Sequence, residues 1–137
     1  YGVPPVVENV TLGTLHKGLF SQEEFIAECK KLGCKVLIDI GHCNLSGWNI
    51  PELIRQLKDQ IVSYHVHNNY GKLDDHLRIH DGTIDFEEFL ECYKECTPNA
   101  DIVVEYSLEG AADVEGVKAD FRYLQKVTRE ITQEHKN

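Results

Sequence analysis

The sequence predicts a parallel α/β fold of four βα units, half of a (β/α)8 barrel, forming a single domain over residues 1–137. Three observations carry that expectation. Short apolar, β-branched runs recur at about residues 5–10, 35–40, 60–67 and 101–106. Amphipathic helical segments separate them, and such alternation implies parallel strands joined by right-handed crossovers. Each run also contains or ends in a metal-competent side chain: Glu8, Asp39, His65 and Glu105.

The first run, Pro5-Val6-Val7-Glu8, is apolar without polar alternation, as are the others, which suits strands buried on both faces. Ser21-Gln22-Glu23-Glu24 is a capping box. The helix it opens places Phe25, Ile26, Cys29 and Leu32 on one stripe, and Gly33 stops it. The second run is Val36-Leu37-Ile38-Asp39. Gly41 follows, where a sharp turn would bring His42 back over the strand mouth. Ile50 to Leu57 reads as a helix with Pro51 tolerated in its first turn. The third run, Ile61-Val62-Ser63-Tyr64-His65, continues to His67, and alternation points His65 and His67 to one side. The longest irregular stretch then runs from His67 to Gly82; loops of that length tend to be functional. Asp85 starts a third helix, with Glu88 three residues on and Pro98 past its end. The fourth run is Ile102-Val103-Val104-Glu105. A last helix spans about Asp113 to His135, with Val117, Phe121, Leu124 and Ile131 on its buried side.

Four strands do not close a parallel barrel, which usually takes ~250 residues. An open piece leaves raw edges and an uncovered face. The expected partner is an N-terminal half-barrel or a second copy of the chain. The sequence opens at Tyr1 and contains no methionine, so its native start is expected to lie elsewhere.

Composition bounds the function. With 42% apolar and 27% charged residues the chain reads as an ordinary globular protein. It has no apolar run near the ~20 residues of a membrane span and no signal-peptide pattern. A net charge of −9 argues against a surface built to grip nucleic acid. The five cysteines are odd in number and contain no CxxC, so neither a disulfide framework nor a zinc ribbon is indicated. Free thiols in a reducing cytoplasm are the simplest reading. Cys92 and Cys96, one helical turn apart, read as helix packing ahead of a metal or redox pair.

In parallel α/β folds, ligands bind at the carboxyl ends of the strands. A lone Asp or Glu there is usually a helix cap or a solvated charge, and a lone His in an apolar run is usually a core residue. Four in succession point instead to one shared site. Three carboxylates and an imidazole make an oxygen-rich set that suits Mn2+, Mg2+, Co2+ or Zn2+. His42, Asp74 and His76 can close over the same site, as substrate-binding groups or ligands of an additional metal. Taken alone, His67 and His80 read as surface positions or as supports behind the site; alternation with His65 also lets His67 share the site or orient His65 from behind it.

The segments Val6-Val7-Glu8-Asn9, Leu37-Ile38-Asp39-Ile40-Gly41-His42, His65-Val66-His67-Asn68-Asn69-Tyr70-Gly71, Asp74-Asp75-His76-Leu77, Gly82-Thr83-Ile84-Asp85-Phe86 and Val103-Val104-Glu105 resemble the xylose isomerase-like TIM-barrel superfamily. The likeness is to the sugar-phosphate isomerase/epimerase and endonuclease IV branch, and it lays the whole chain on the C-terminal half of that barrel. It implies a divalent metal held by Glu8, Asp39, His65 and Glu105. It implies that Glu8 and Glu105 also act as the acid/base pair, moving a proton on a small carbohydrate through an enediolate, while His42 contacts substrate oxygens. In the endonuclease branch these positions, with His42, Asp74 and His76 added, hold three zinc ions for phosphodiester hydrolysis at abasic DNA. A third expectation is an inactive half-barrel. Asn68 and His80 stand where many members carry Asp and Gly, which leaves the substrate class open.

Overall fold

The computed structural model describes residues 2–11 and 19–134, with side chains through Thr128. Its elements run β1 Val6–Glu8, α1 Gln22–Leu32, β2 Lys35–Asp39, α2 Ile40–Leu45, α3 Ile50–Leu57, β3 Ile61–Val66, α4 Phe86–Cys96, β4 Asp101–Val104, α5 Leu108–Ala112 and α6 Val114–Glu134. The strands form one parallel sheet in the order β1-β2-β3-β4, consistent with half of a TIM barrel. The register sets Asp39 opposite His65 and His65 opposite Val103, so the strand ends lie level.

Local chemistry sets the helix starts. Ser21 accepts from the Glu24 backbone N–H while the Glu24 carboxylate accepts from Ser21 N–H, at 3.2 and 2.8 Å. Gly33 ends α1 at φ 60°, a left-handed conformation in which it has no Cβ to clash. Asn49 and Asp85 cap α3 and α4 by accepting from the backbone N–H of Glu52 and Glu88.

The helices cover one face of the sheet. Val36, Ile38, Tyr64 and Val66 are buried beneath Leu53, Ile54, Leu57, Phe89 and Tyr93. The Tyr64 hydroxyl is satisfied by the Thr97 hydroxyl at 2.7 Å. Burial on both faces was the expectation, and the structure corrects it. Val6 and Val103, on the face away from the helices, are 50% and 42% exposed. In a closed barrel that face is filled by side chains from strands around the circle, and four strands do not complete it.

Two helix stripes need the same kind of correction. Leu32 is 66% exposed; it lines a groove of about 600 Å3 beside Val7, Phe20, Phe25 and Trp48, on the β1 flank. Phe121 is 47% exposed, whereas Asp120, Leu124 and Val127 are buried. The buried carboxylate of Asp120 receives the Arg78 guanidinium at 2.8 and 3.0 Å, and that pairing turns α6 away from Phe121. The expected buried position of Ile131, and the helix end at His135, lie outside the described residues. Two short helices, α2 and α5, stand where no helix was expected.

Candidate metal centre

Asp39 ends β2 and begins α2 at once. Its Oδ1 accepts from the His42 backbone N–H at 2.8 Å, so the carboxylate is also the cap that wraps the chain back over the strand mouth. His42 therefore arrives on a helix, and Gly41 adopts no left-handed turn. The glycine has another use: a methyl group there would collide with the imidazole of His67.

Asn9 was not singled out from the sequence as a site residue, yet it sets this geometry. Its side-chain amide donates to Asp39 C=O at 3.0 Å and accepts from Asp39 N–H at 2.8 Å, extending the β1–β2 pairing by one rung. Its backbone oxygen lies 2.9 Å from His42 Nδ1. The only sequence signal was an Asn immediately after a strand-end Glu.

The four strand-end side chains meet. His65 Nδ1 lies 3.2 Å from Glu8 Oε1, 3.5 Å from Glu105 Oε2 and 3.9 Å from Asp39 Oδ2. Asp39 is buried, while Glu8 and Glu105 flank it from β1 and from just past β4, each about a third exposed. Donor atoms of Glu8, Asp39 and His65 all fall within 4.8 Å of one another, a spacing that fits a single divalent cation.

A second cluster adjoins the first. Asp74 Oδ2 is 3.3 Å from both His42 Nε2 and His76 Nε2. The loop carrying Asp74 and His76 is returned to the strand end by paired backbone hydrogen bonds between Asn68 and Leu77. His76 sits at φ 49°, uncommon for a residue with a side chain, and its Nδ1 lies 2.9 Å from Glu105 C=O. Asn68 donates to Ile79 C=O and accepts from Asn69 and Ile84 N–H, two roles that a carboxylate could not combine. Beside Glu105, the Tyr106 hydroxyl donates to Asp120 and accepts from Ile79 N–H, tying the loop to α6.

His67, expected at the surface or behind His65, is fully buried. Its Nε2 contacts Asp39 Oδ1 and Oδ2 at 3.0 and 3.2 Å, and its ring stacks on His76 with centroids 3.8 Å apart. His80 is exposed and rests against Tyr123. Cys92 is buried in the core, with Cys96 packed against it.

Electrostatics follow this geometry. Burial disfavours charge on His42, but its hydrogen bond to Asp74 and the Asp39 charge outweigh it and push the pKa up to about 9. Asp74 is held below the usual carboxylate range, chiefly by that hydrogen bond. Because His42 is raised above its unfolded value, its stabilisation is fully present below pH ~6.5 and is lost as pH rises through about 9. EDTA-treated protein is therefore expected to lose on the order of 3 kcal/mol of unfolding free energy from this group between about pH 6 and pH 10. Urea denaturation checks it: His42→Asn should show a shallower pH slope, and an unchanged slope would refute the assignment.

The family model described as "Xylose isomerase-like TIM barrel" matches residues 1–127. Two uncharacterized proteins of Methanocaldococcus jannaschii are similar in sequence. MJ1311 is 36% identical over 103 residues, covering 69% of this chain and 34% of that protein. MJ1614 is 33% identical over 89 residues, covering 65% of this chain and 34% of that protein. A crystal structure described as a D-tagatose 3-epimerase-like protein superposes with a TM-score of 0.71 at 25% identity, over 97% of this chain and 49% of its own. The chain thus spans about a third of the curated relatives and about half of the solved structure. With four parallel strands, level strand ends and a family match along nearly its whole length, the chain belongs to the xylose isomerase-like TIM barrel family.

Proposed function

We propose that this chain supplies half of the active site of a divalent-metal-dependent sugar isomerase or epimerase, acting by proton transfer through an enediolate. The observation that carries the reading is the His65 nitrogen ringed by Glu8, Asp39 and Glu105. A divalent ion held by these residues, when bound, supplies Lewis-acid polarisation of the sugar carbonyl and its neighbouring hydroxyl. The rest is the work of side chains. Asp39, buried and hydrogen-bonded, is a fixed anchor. Glu8 and Glu105 flank it, partly exposed toward the open face, where one can take a proton from carbon and the other return one. His42 reaches over the site and contacts substrate oxygens.

The other wall of the pocket lies on the open face of the sheet. We assign it to four further βα units, from an N-terminal half-barrel or a second copy. The five free thiols fit a cytoplasmic protein, and among the described residues no helix is long and apolar enough to cross a membrane.

A second reading, endonuclease IV-like phosphodiester hydrolysis, draws on the cluster of His42, Asp74 and His76, which adds a place for another cation. The net charge of −9 weighs against it. The deciding experiment incubates the assembled barrel with D-tagatose and related ketohexoses in deuterium oxide with Mn2+. Deuterium incorporation at the carbon beside the carbonyl, abolished by EDTA, is the expected result. No incorporation, together with nicking of abasic DNA, would replace the first reading by the second.

A further inference from the structure

Glu105 stands one residue past β4, just beyond the last paired residues of β3 and β4. Its N–H still donates to Val66 C=O at 3.1 Å, and beyond that its place depends on the long loop and on Tyr106. His76 Nδ1 contacts the Glu105 carbonyl at 2.9 Å, and Ser107 N–H donates to His76 C=O at 2.9 Å. Tyr106, next in the chain, donates its hydroxyl to Asp120 Oδ2 at 3.0 Å and accepts from Ile79 N–H at 3.3 Å.

These connections meet at Asp120. Arg78, from the same loop, delivers Nε and Nη2 to the two oxygens of Asp120 at 2.8 and 3.0 Å, a bidentate fork. Its Nη1 goes on to Asp113, just ahead of α6, at 2.6 Å. Gly116 leaves room for this pairing: a methyl group there would collide with the Arg78 guanidinium and the Asp113 carboxylate. One carboxylate on α6 therefore joins the loop to the end of β4. Asp120 is buried on the same side of the helix as Leu124 and Val127. Replacing a buried ion pair by apolar residues is often neutral or stabilising, so stability does not account for a charge at this position. Directional bonding does, since a fork and a hydroxyl fix angles as well as distances.

We propose that Asp120 is a positioning residue for Glu105. Through Tyr106 and Arg78 it locks the loop and the end of β4 into one unit, and so sets where the Glu105 carboxylate stands relative to Glu8 and His65. The inference rests on Glu105 acting in the proposed proton transfer. Misplacing a reacting group by about 1 Å can slow a reaction about a hundredfold, so a clamp that never meets the substrate still governs rate.

Two changes to the assembled enzyme test it. Tyr106→Phe removes the hydroxyl alone. The double variant Arg78→Met with Asp120→Leu replaces the ion pair by apolar side chains and leaves no unpaired buried charge. Both should stay folded and lower kcat about tenfold or more, with KM within about twofold of the parent. The isotope effect for substrate deuterated at the reacting carbon should rise, because proton transfer becomes the slow step. A purely structural role would lower the active fraction and leave the isotope effect where it was. Amide hydrogen exchange needs no substrate. Glu105 and Ser107 should exchange about tenfold faster or more in both variants, while amides of β2 and β3 keep their parent rates. Unchanged exchange at Glu105 and Ser107, or parent kcat and isotope effect in either folded variant, overturns the proposal. A parent enzyme without turnover, whose Glu105 and Ser107 amides respond as expected in the variants, sinks the isomerase reading and leaves the positioning of Glu105 standing.

Discussion

Asp39→Asn is expected to weaken Mn2+ affinity at the site proposed for Glu8, Asp39, His65 and Glu105 about a hundredfold or more, while the protein stays folded. The two effects separate because Asp39 does two jobs. As a cap, its Oδ1 accepts from His42 N–H, and an Asn side chain serves there nearly as well. In the proposed ligand set, it contributes the one buried anionic charge among Glu8, His65 and Glu105, which an amide does not replace. Its backbone grip by Asn9 is untouched by the change. Asp39→Ala should weaken binding equally but also remove the cap, at about 1 kcal/mol of stability. Mn2+ titration followed by electron paramagnetic resonance, with circular dichroism as the folding control, reads both. Mn2+ bound as tightly by Asp39→Asn as by the parent chain would show that the cation is held elsewhere.

Glu8→Gln and Glu105→Gln should each lower turnover of the assembled enzyme by about 10^2- to 10^4-fold, the range for removing a positioned acid or base. Some metal binding should survive, since Asp39, His65 and the remaining glutamate stay in place. The backbone of Glu105 is fixed by its N–H bond to Val66 C=O and by the contact of its own C=O with His76, so the substitution alters chemistry more than position. Solvent deuterium exchange gives a finer reading. A variant that has lost only the base fails to exchange substrate hydrogen, whereas one that has lost only the acid still exchanges it. Full turnover in either variant would remove that glutamate from the proton-transfer role.

The convergence of Glu8, Asp39, His65 and Glu105 was legible because it rests on short-range patterns. A buried parallel strand writes itself as a continuous apolar run, and ligand-bearing side chains in such folds collect where those runs stop. The level register of neighbouring strands then does the rest. His67 was harder to read. Its alternation with His65 gave the correct side of the strand, but its burial comes from Gly41 and His76, which approach from other segments. Phe121 misled for a related reason. Hydrophobic periodicity counts apolar residues, and the residue that orients α6 is the charged Asp120, paired with Arg78 42 positions away.

From its order of residues alone, the protein's strand–helix alternation, the helix caps at Ser21 and Asp85 and the recurrence of carboxylate and imidazole side chains at its strand ends were determined, because each depends on neighbours within a few positions. Tertiary structure alone decided which groups find partners. Asn9 holds the backbone of Asp39 across 30 positions, and the Asn68–Leu77 pairing carries the loop with Asp74 and His76 back over the strand ends. It also decided which apolar surfaces stay uncovered, as at Leu32, Val6 and Val103. The physical reason is that burial and hydrogen-bond satisfaction are properties of what packs against a side chain, and local sequence records only what the side chain is.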